Sequence, residues 1–205
     1  MYKTQTVGDI KYICRLMMDI DWIPTFIGDS RIDKSILRIL SKCESKLEIM
    51  FFLGIAYYLH CNYEEVDYPY FNIDTVEGQE GIHISEPYAG GRDGNGLSSL
   101  LVVPQYRSSE KPIRHDFGFF YGESNAGGPW HFYVAVEIEG YGVHRSRREL
   151  DKARYRGLSY KVIPVYEEIT EPHNWYSIIE DFWEKDLIEE IERQNAIERE
   201  NNHLF

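Results

Sequence analysis

Asp116 and the triplet Glu137-Ile138-Glu139 stand inside two short apolar runs, where carboxylates are out of place. The runs read Ile113-Arg114-His115-Asp116-Phe117-Gly118-Phe119-Phe120 and Phe132-Tyr133-Val134-Ala135-Val136-Glu137-Ile138-Glu139, with Gly122 to Pro129 as the turn between them. Both are rich in the aromatic and β-branched residues that strands favour. A buried carboxylate without a partner costs several kcal/mol or is forced neutral, so three of them on one hairpin suggest a bound cation. Hard oxygen donors in that arrangement suit Mg²⁺ or Mn²⁺. Asp116 and Glu137 are the candidate direct ligands, with the Ile138 carbonyl as a further oxygen. Glu139 shares the face of Glu137 by the two-residue strand period, so it would join the cluster or position water.

The elements that must carry these residues follow from periodicity and turn chemistry. Ile10, Ile13, Cys14, Met17 and Met18 predict a short helix over 8–20. Ser30 and Asp33 are candidate caps for a second helical region, and an apolar helix runs from Ser45 to about Leu59 with Glu48 on it. The Tyr-rich and acidic stretch 61–98 ends in Gly-Gly-Arg-Asp-Gly-Asn-Gly and reads as an irregular or hairpin insertion, with short strands at Val66 to Ile73 and Gly81 to Ile84. Strands follow at 100–106, 113–121 and 130–139, then a helix after His144 and a strand at 160–166. Pro164 argues that this last strand lies at an edge or ends early. From Asn174 to about 200, Trp175, Ile178, Ile179, Phe182, Trp183, Leu187 and Ile188 recur at helical steps, a strongly amphipathic helix.

With 205 residues, 43% of them apolar, the chain can bury roughly 70% of its unfolded surface and form one domain. Cys14, Cys43 and Cys61 form neither a CxxC pair nor an even set, so a disulfide framework and a zinc knuckle are both unsupported. No signal-like start is present and the longest apolar run, Ile49 to Leu59, is too short for a bilayer, which predicts a cytoplasmic protein without a membrane partner. A net charge of −12 speaks against nucleic acid until its distribution is read. Residues 167–201 hold twelve acids and three bases, whereas 145–161 holds seven bases and two acids. That basic stretch follows the acidic triplet directly and is a candidate phosphate contact through Arg145, Arg147, Arg148 and Arg154.

Taken in order, Ser45-Lys46-Leu47-Glu48, Pro104-Gln105-Tyr106, Arg114-His115-Asp116-Phe117 and Glu137-Ile138-Glu139-Gly140-Tyr141 with His144 resemble the restriction-endonuclease-like superfamily, and within it the very-short-patch-repair-like endonuclease domains. The resemblance covers about 45–166. It implies an α/β fold with a mixed central sheet flanked by helices, to which the insertion at 61–98 and the C-terminal helix at 174–200 are additions. It also implies a Mg²⁺-dependent endodeoxyribonuclease, acting in restriction or phage defence, repair or mobile-element processing. Asp151 and Arg154 match the relatives' Asp-x-x-Arg helix motif. The superfamily usually has Lys after the second acid; Glu139 stands there in this chain, leaving His144, Lys46 or Gln105 to offset charge.

Phosphodiester hydrolysis needs a nucleophilic water, an in-line approach and relief of transition-state charge. Glu48 would bind a second ion or orient that water, His144 would protonate the leaving oxygen or contact phosphate, and Gln105 would contact substrate. DNA is the expected substrate, with RNA as the other nucleic acid open to such a site. Plain structural roles compete: an Arg-paired Asp116, a solvated face for Glu137 and Glu139, a solvent-facing Glu48, local hydrogen bonds for Gln105 and His144. Two other classes compete as well, a catalytically inactive nuclease fold that binds DNA or protein, and an interaction protein whose C-terminal helix docks a homodimer mate or another partner.

Overall fold

The computed structural model describes residues 34–62, 71–85, 99–122, 129–140, 154–158, 160–167, 174–187, 193 and 196. The expected helix at 8–20, the caps Ser30 and Asp33, and most of the basic stretch lie outside the described residues. Helix α1 is Lys34–Leu40 and α2 is Lys46–Asn62. Ser45 caps α2: its Oγ accepts the Glu48 amide at 3.1 Å, while Glu48 Oε2 accepts the Glu44 amide at 3.0 Å. The Glu48 carboxylate also accepts the Ser45 amide, and this return bond makes the capping box written in the sequence as Ser-x-x-Glu.

Six strands form one mixed sheet in sequence order: β1 Phe71–Val76, β2 Gln79–Ser85, β3 Ser99–Pro104, β4 Phe117–Gly122, β5 Trp130–Gly140 and β6 Lys161–Glu167. The first five pair antiparallel, and β6 runs parallel to β5 as an edge strand, where Pro164 is tolerated. The segment read as an insertion supplies β1 and β2, which extend the sheet instead of standing apart from it. Their loop is Glu77-Gly78, with φ of 51° and 73°. Two residues at positive φ make the turn whose twist matches the flanking strands.

One face of the sheet carries the main core. Phe51, Phe52 and Ile55 of α2 pack with Phe117, Phe119, Val134 and Val136. The other face gathers Val76, Leu101, Val103, Tyr106 and Phe120, with Trp130 and Phe132 against them. Between β4 and β5 the register shifts: Phe119 opposes Val134 and Phe120 opposes Phe132, so that β5 carries one extra residue, Tyr133, at a bulge. Tyr133 therefore joins Val134 on the helix-covered face and stacks on Tyr121 at 4.1 Å.

The C-terminal segment forms α3, Asn174–Asp181, which passes into a π-helical stretch at Phe182–Leu187. Ile179, Phe182, Trp183 and Leu187 are fully buried, and the Phe182 ring lies 5.0 Å from that of Phe51. Tyr58 donates to Glu184 at 2.6 Å across the same contact. Over 174–187 the apolar side of the amphipathic helix thus packs onto the sheet and α2. Among the described residues no helix is long and apolar enough to cross a membrane.

Candidate active site

Asp116 ends the loop that joins β3 to β4; it immediately precedes β4 instead of lying inside it as the apolar run suggested. The loop is closed by backbone bonds from Gln105 N to Asp116 O at 2.7 Å and from His115 N to Tyr106 O at 2.8 Å. Gln105, expected in a strand, has left-handed backbone at φ 57° and begins the turn. Because Phe117 opposes Val136, the next step of the register brings Asp116 toward Glu137. Asp116 Oδ2 accepts the Ile138 amide at 2.7 Å, which fixes the carboxylate against β5.

Glu48 approaches from the first turn of α2. It is only 4% exposed, and its Oε2 accepts from Gln105 Nε2 at 2.6 Å as well as from the Glu44 amide. The solvent-facing reading of Glu48 is excluded. Burial pushes its carboxyl above the ordinary range, opposed by the hydrogen bonds from Glu44, Ser45 and Gln105. Burial also pushes the Asp116 carboxyl up to about 8, with the charges of Glu48 and then Glu137 adding to the rise and the Ile138 amide opposing it. The buried Cys43 thiol is raised by desolvation and then by Glu48 and Asp116, so it borders the same acidic ground. Gln105 Oε1 is buried and has no hydrogen-bond partner among the described residues.

Two residues that sequence reasoning did not single out complete the arrangement. His115, 1% exposed, lies with Nδ1 2.7 Å from Glu137 Oε1 and Nε2 3.0 Å from the Tyr160 hydroxyl. The only sequence signal was its position beside Asp116. Among the described residues no arginine pairs with Asp116; Arg114 instead binds Glu44 through both guanidinium nitrogens, at 2.6 and 2.8 Å.

Of the sequence candidates, Glu48, Gln105, Asp116 and Glu137 are brought together. Arg154, exposed, donates to the Arg114 carbonyl at 3.3 Å, next to His115 and Asp116. Lys111 donates to the Arg156 carbonyl at 2.9 Å, which links the segment with Arg107, Lys111 and Arg114 to the one with Arg154 and Arg156. His144, Arg145, Arg147 and Arg148 lie outside the described residues. Glu139 is placed by its backbone, opposite Tyr166 of β6. Its side chain is also outside them.

Three carboxylates on three elements, one of them pushed up by burial and then by the charges of the others, and a buried amide oxygen are donors of the type that hard divalent cations take. Among the described residues no three His, Cys, Asp or Glu side chains converge in a metal-holding group. Each carboxylate has one oxygen engaged by protein, leaving the other outside those bonds. Comparisons with protein families, curated proteins and solved structures found no match.

Proposed function

We propose that this chain is a metal-dependent endodeoxyribonuclease built on a restriction-endonuclease-like core. The observation that carries the reading is the gathering of Glu48, Asp116 and Glu137 at one end of the sheet, where burial, and then the charges of Glu48 and Glu137, push Asp116 up to about 8. Such crowding is what a divalent cation relieves. A helix beside a mixed sheet, with the acids at the start of β4 and near the end of β5, supports this core architecture.

Bound Mg²⁺ or Mn²⁺ would lower the pKa of a water and offset charge on the phosphoryl oxygens. Asp116 and Glu137 are its ligands, with Glu48 as a third oxygen source or as the group that orients the attacking water. Gln105, fixed to Glu48 through Nε2, is a further polar contact for the substrate. Glu139 stands where a Lys is usual, so charge relief falls to His144 and to arginines. Arg154, with Arg145, Arg147 and Arg148, contacts the phosphate backbone, and the cations at 107–114 and 156 extend that surface. DNA is the substrate, with RNA as the comparison; defence against phage, repair and mobile-element processing are the settings, in the cytoplasm.

A fold of this kind that binds DNA or protein without cutting is the second reading. One observation favours it: every acid of the cluster already has a protein partner. Cleavage of supercoiled plasmid, single-stranded DNA and RNA by wild type and Asp116→Ala, with Mg²⁺, Mn²⁺ or chelator, separates the two. Metal-dependent cutting lost in the variant supports the nuclease. No cutting of any substrate, with no metal-dependent change in melting, leaves the binding module.

A further inference from the structure

The His115 imidazole is constrained on every side. Its backbone amide is tied to Tyr106 O, its two ring nitrogens contact Glu137 Oε1 and the Tyr160 hydroxyl, and it stacks on Tyr106 at 6.4 Å and 21°. Tyr155 and Tyr160 cover it at 5.6 and 5.7 Å. An ionised Glu137 accepts only, so Nδ1 carries the proton toward it whether the ring is neutral or charged. The bond engages Oε1 alone. It leaves Oε2 outside that bond and restricts the carboxylate's rotation.

We infer that His115, braced by Tyr160, is the residue that positions Glu137 for binding a divalent cation; this rests on the metal reading proposed above. Outer partners of metal-binding carboxylates act by fixing orientation, and their loss weakens metal binding by about 10–100-fold. His115 is a positioning residue and touches no reacting atom.

The test is Mn²⁺ affinity, read from the spin-resonance signal of free Mn²⁺, for wild type, His115→Phe, His115→Asn and Tyr160→Phe, with near-ultraviolet circular dichroism as the control for folding. Phe keeps the ring contacts and donates nothing, so it should weaken binding by about 10–100-fold. Asn places an amide N–H where Nδ1 lies and should restore most of the loss, which a mere packing role would not produce. Tyr160→Phe should shift affinity in the same direction by less. Wild-type affinity in both His115→Phe and Tyr160→Phe overturns the inference while the metal site stands. If His115→Phe does not fold, unchanged binding in Tyr160→Phe overturns it alone. A wild type that binds no Mn²⁺ overturns the metal reading itself, and this inference with it.

Discussion

Asp116 Oδ2 accepts the backbone amide of Ile138 at 2.7 Å, so the loop before β4 and the acidic end of β5 are locked by one carboxylate. Asn can keep that bond through its carbonyl oxygen while removing a charge held among two others. Asp116→Asn should therefore abolish metal-dependent cleavage yet raise the melting temperature in chelator at pH 8, by about 2–4 °C for each kcal/mol gained. Asp116→Ala should lose both activity and the bond. A melting temperature for the Asn variant at or below wild type would show that the buried charge is not the burden described.

The pH dependence follows from the same group. Asp116 titrates at about 8 in the folded chain against about 3.9 when unfolded. Between those values the folded state holds more protons, so stability falls as pH rises. Its contribution is complete below about pH 4 and is lost as pH passes 8. Glu48 is raised in the same direction. Calorimetric melts in chelator should decline from pH 5 to 9, the decline should flatten in Asp116→Asn, and Mn²⁺ should stabilise more at high pH than at low. A pH-independent metal effect would contradict the assignment.

Gly118 has no room for a side chain, since a Cβ would lie 2.6 Å from Cγ of Tyr106. Tyr106 is buried and stacked on Phe132 at 5.2 Å and on His115 at 6.4 Å. Gly118→Ala should destabilise by about 1–3 kcal/mol in urea unfolding, and it should disturb the His115 seat. Wild-type stability would mean that Tyr106 can move freely.

Phe51 sits within 6.4 Å of Phe117, Phe119 and Phe182, joining α2, β4 and the C-terminal segment. Phe51→Ala should cost about 3–5 kcal/mol, read from denaturant unfolding. A loss below about 1 kcal/mol would mean that the C-terminal segment collapses into the space.

Removing Arg154 and Arg156 together should weaken DNA binding in a way that depends on salt. The slope of log affinity against log salt should shrink by about 2 in the double Ala variant. An unchanged slope would place the phosphate contacts elsewhere.

Much of the architecture was legible because it depends on local patterns. The β4–β5 hairpin, the helix around Glu48, the edge position that Pro164 requires and the amphipathic stretch at 174–187 all follow from periodicity and turn residues. The hairpin in 61–98 was harder, because Gly-rich chemistry at 90–96 outweighed the plain Glu77-Gly78 that makes the β1–β2 turn. Glu48 illustrates a different limit. Its capping pattern is written in four residues, whereas its bond to Gln105 spans 57 positions and arises only when the sheet and α2 pack. His115 was hidden for the same reason: its partners, Glu137 and Tyr160, lie 22 and 45 residues away.

The bulge residue Tyr133 sets the phase of β5. Before it, Phe132 belongs to one face of the sheet; after it, Val134, Val136 and Ile138 belong to the other and Glu137 turns away from them. A strand of the same length without the bulge would send Glu137 into the apolar layer. Chain length at this point is therefore as decisive as residue type. Deleting residue 133 would keep the acid on its side, whereas gaining or losing one residue between 134 and 137 would invert it, so variation in length should be tolerated at one end of this strand and forbidden at the other.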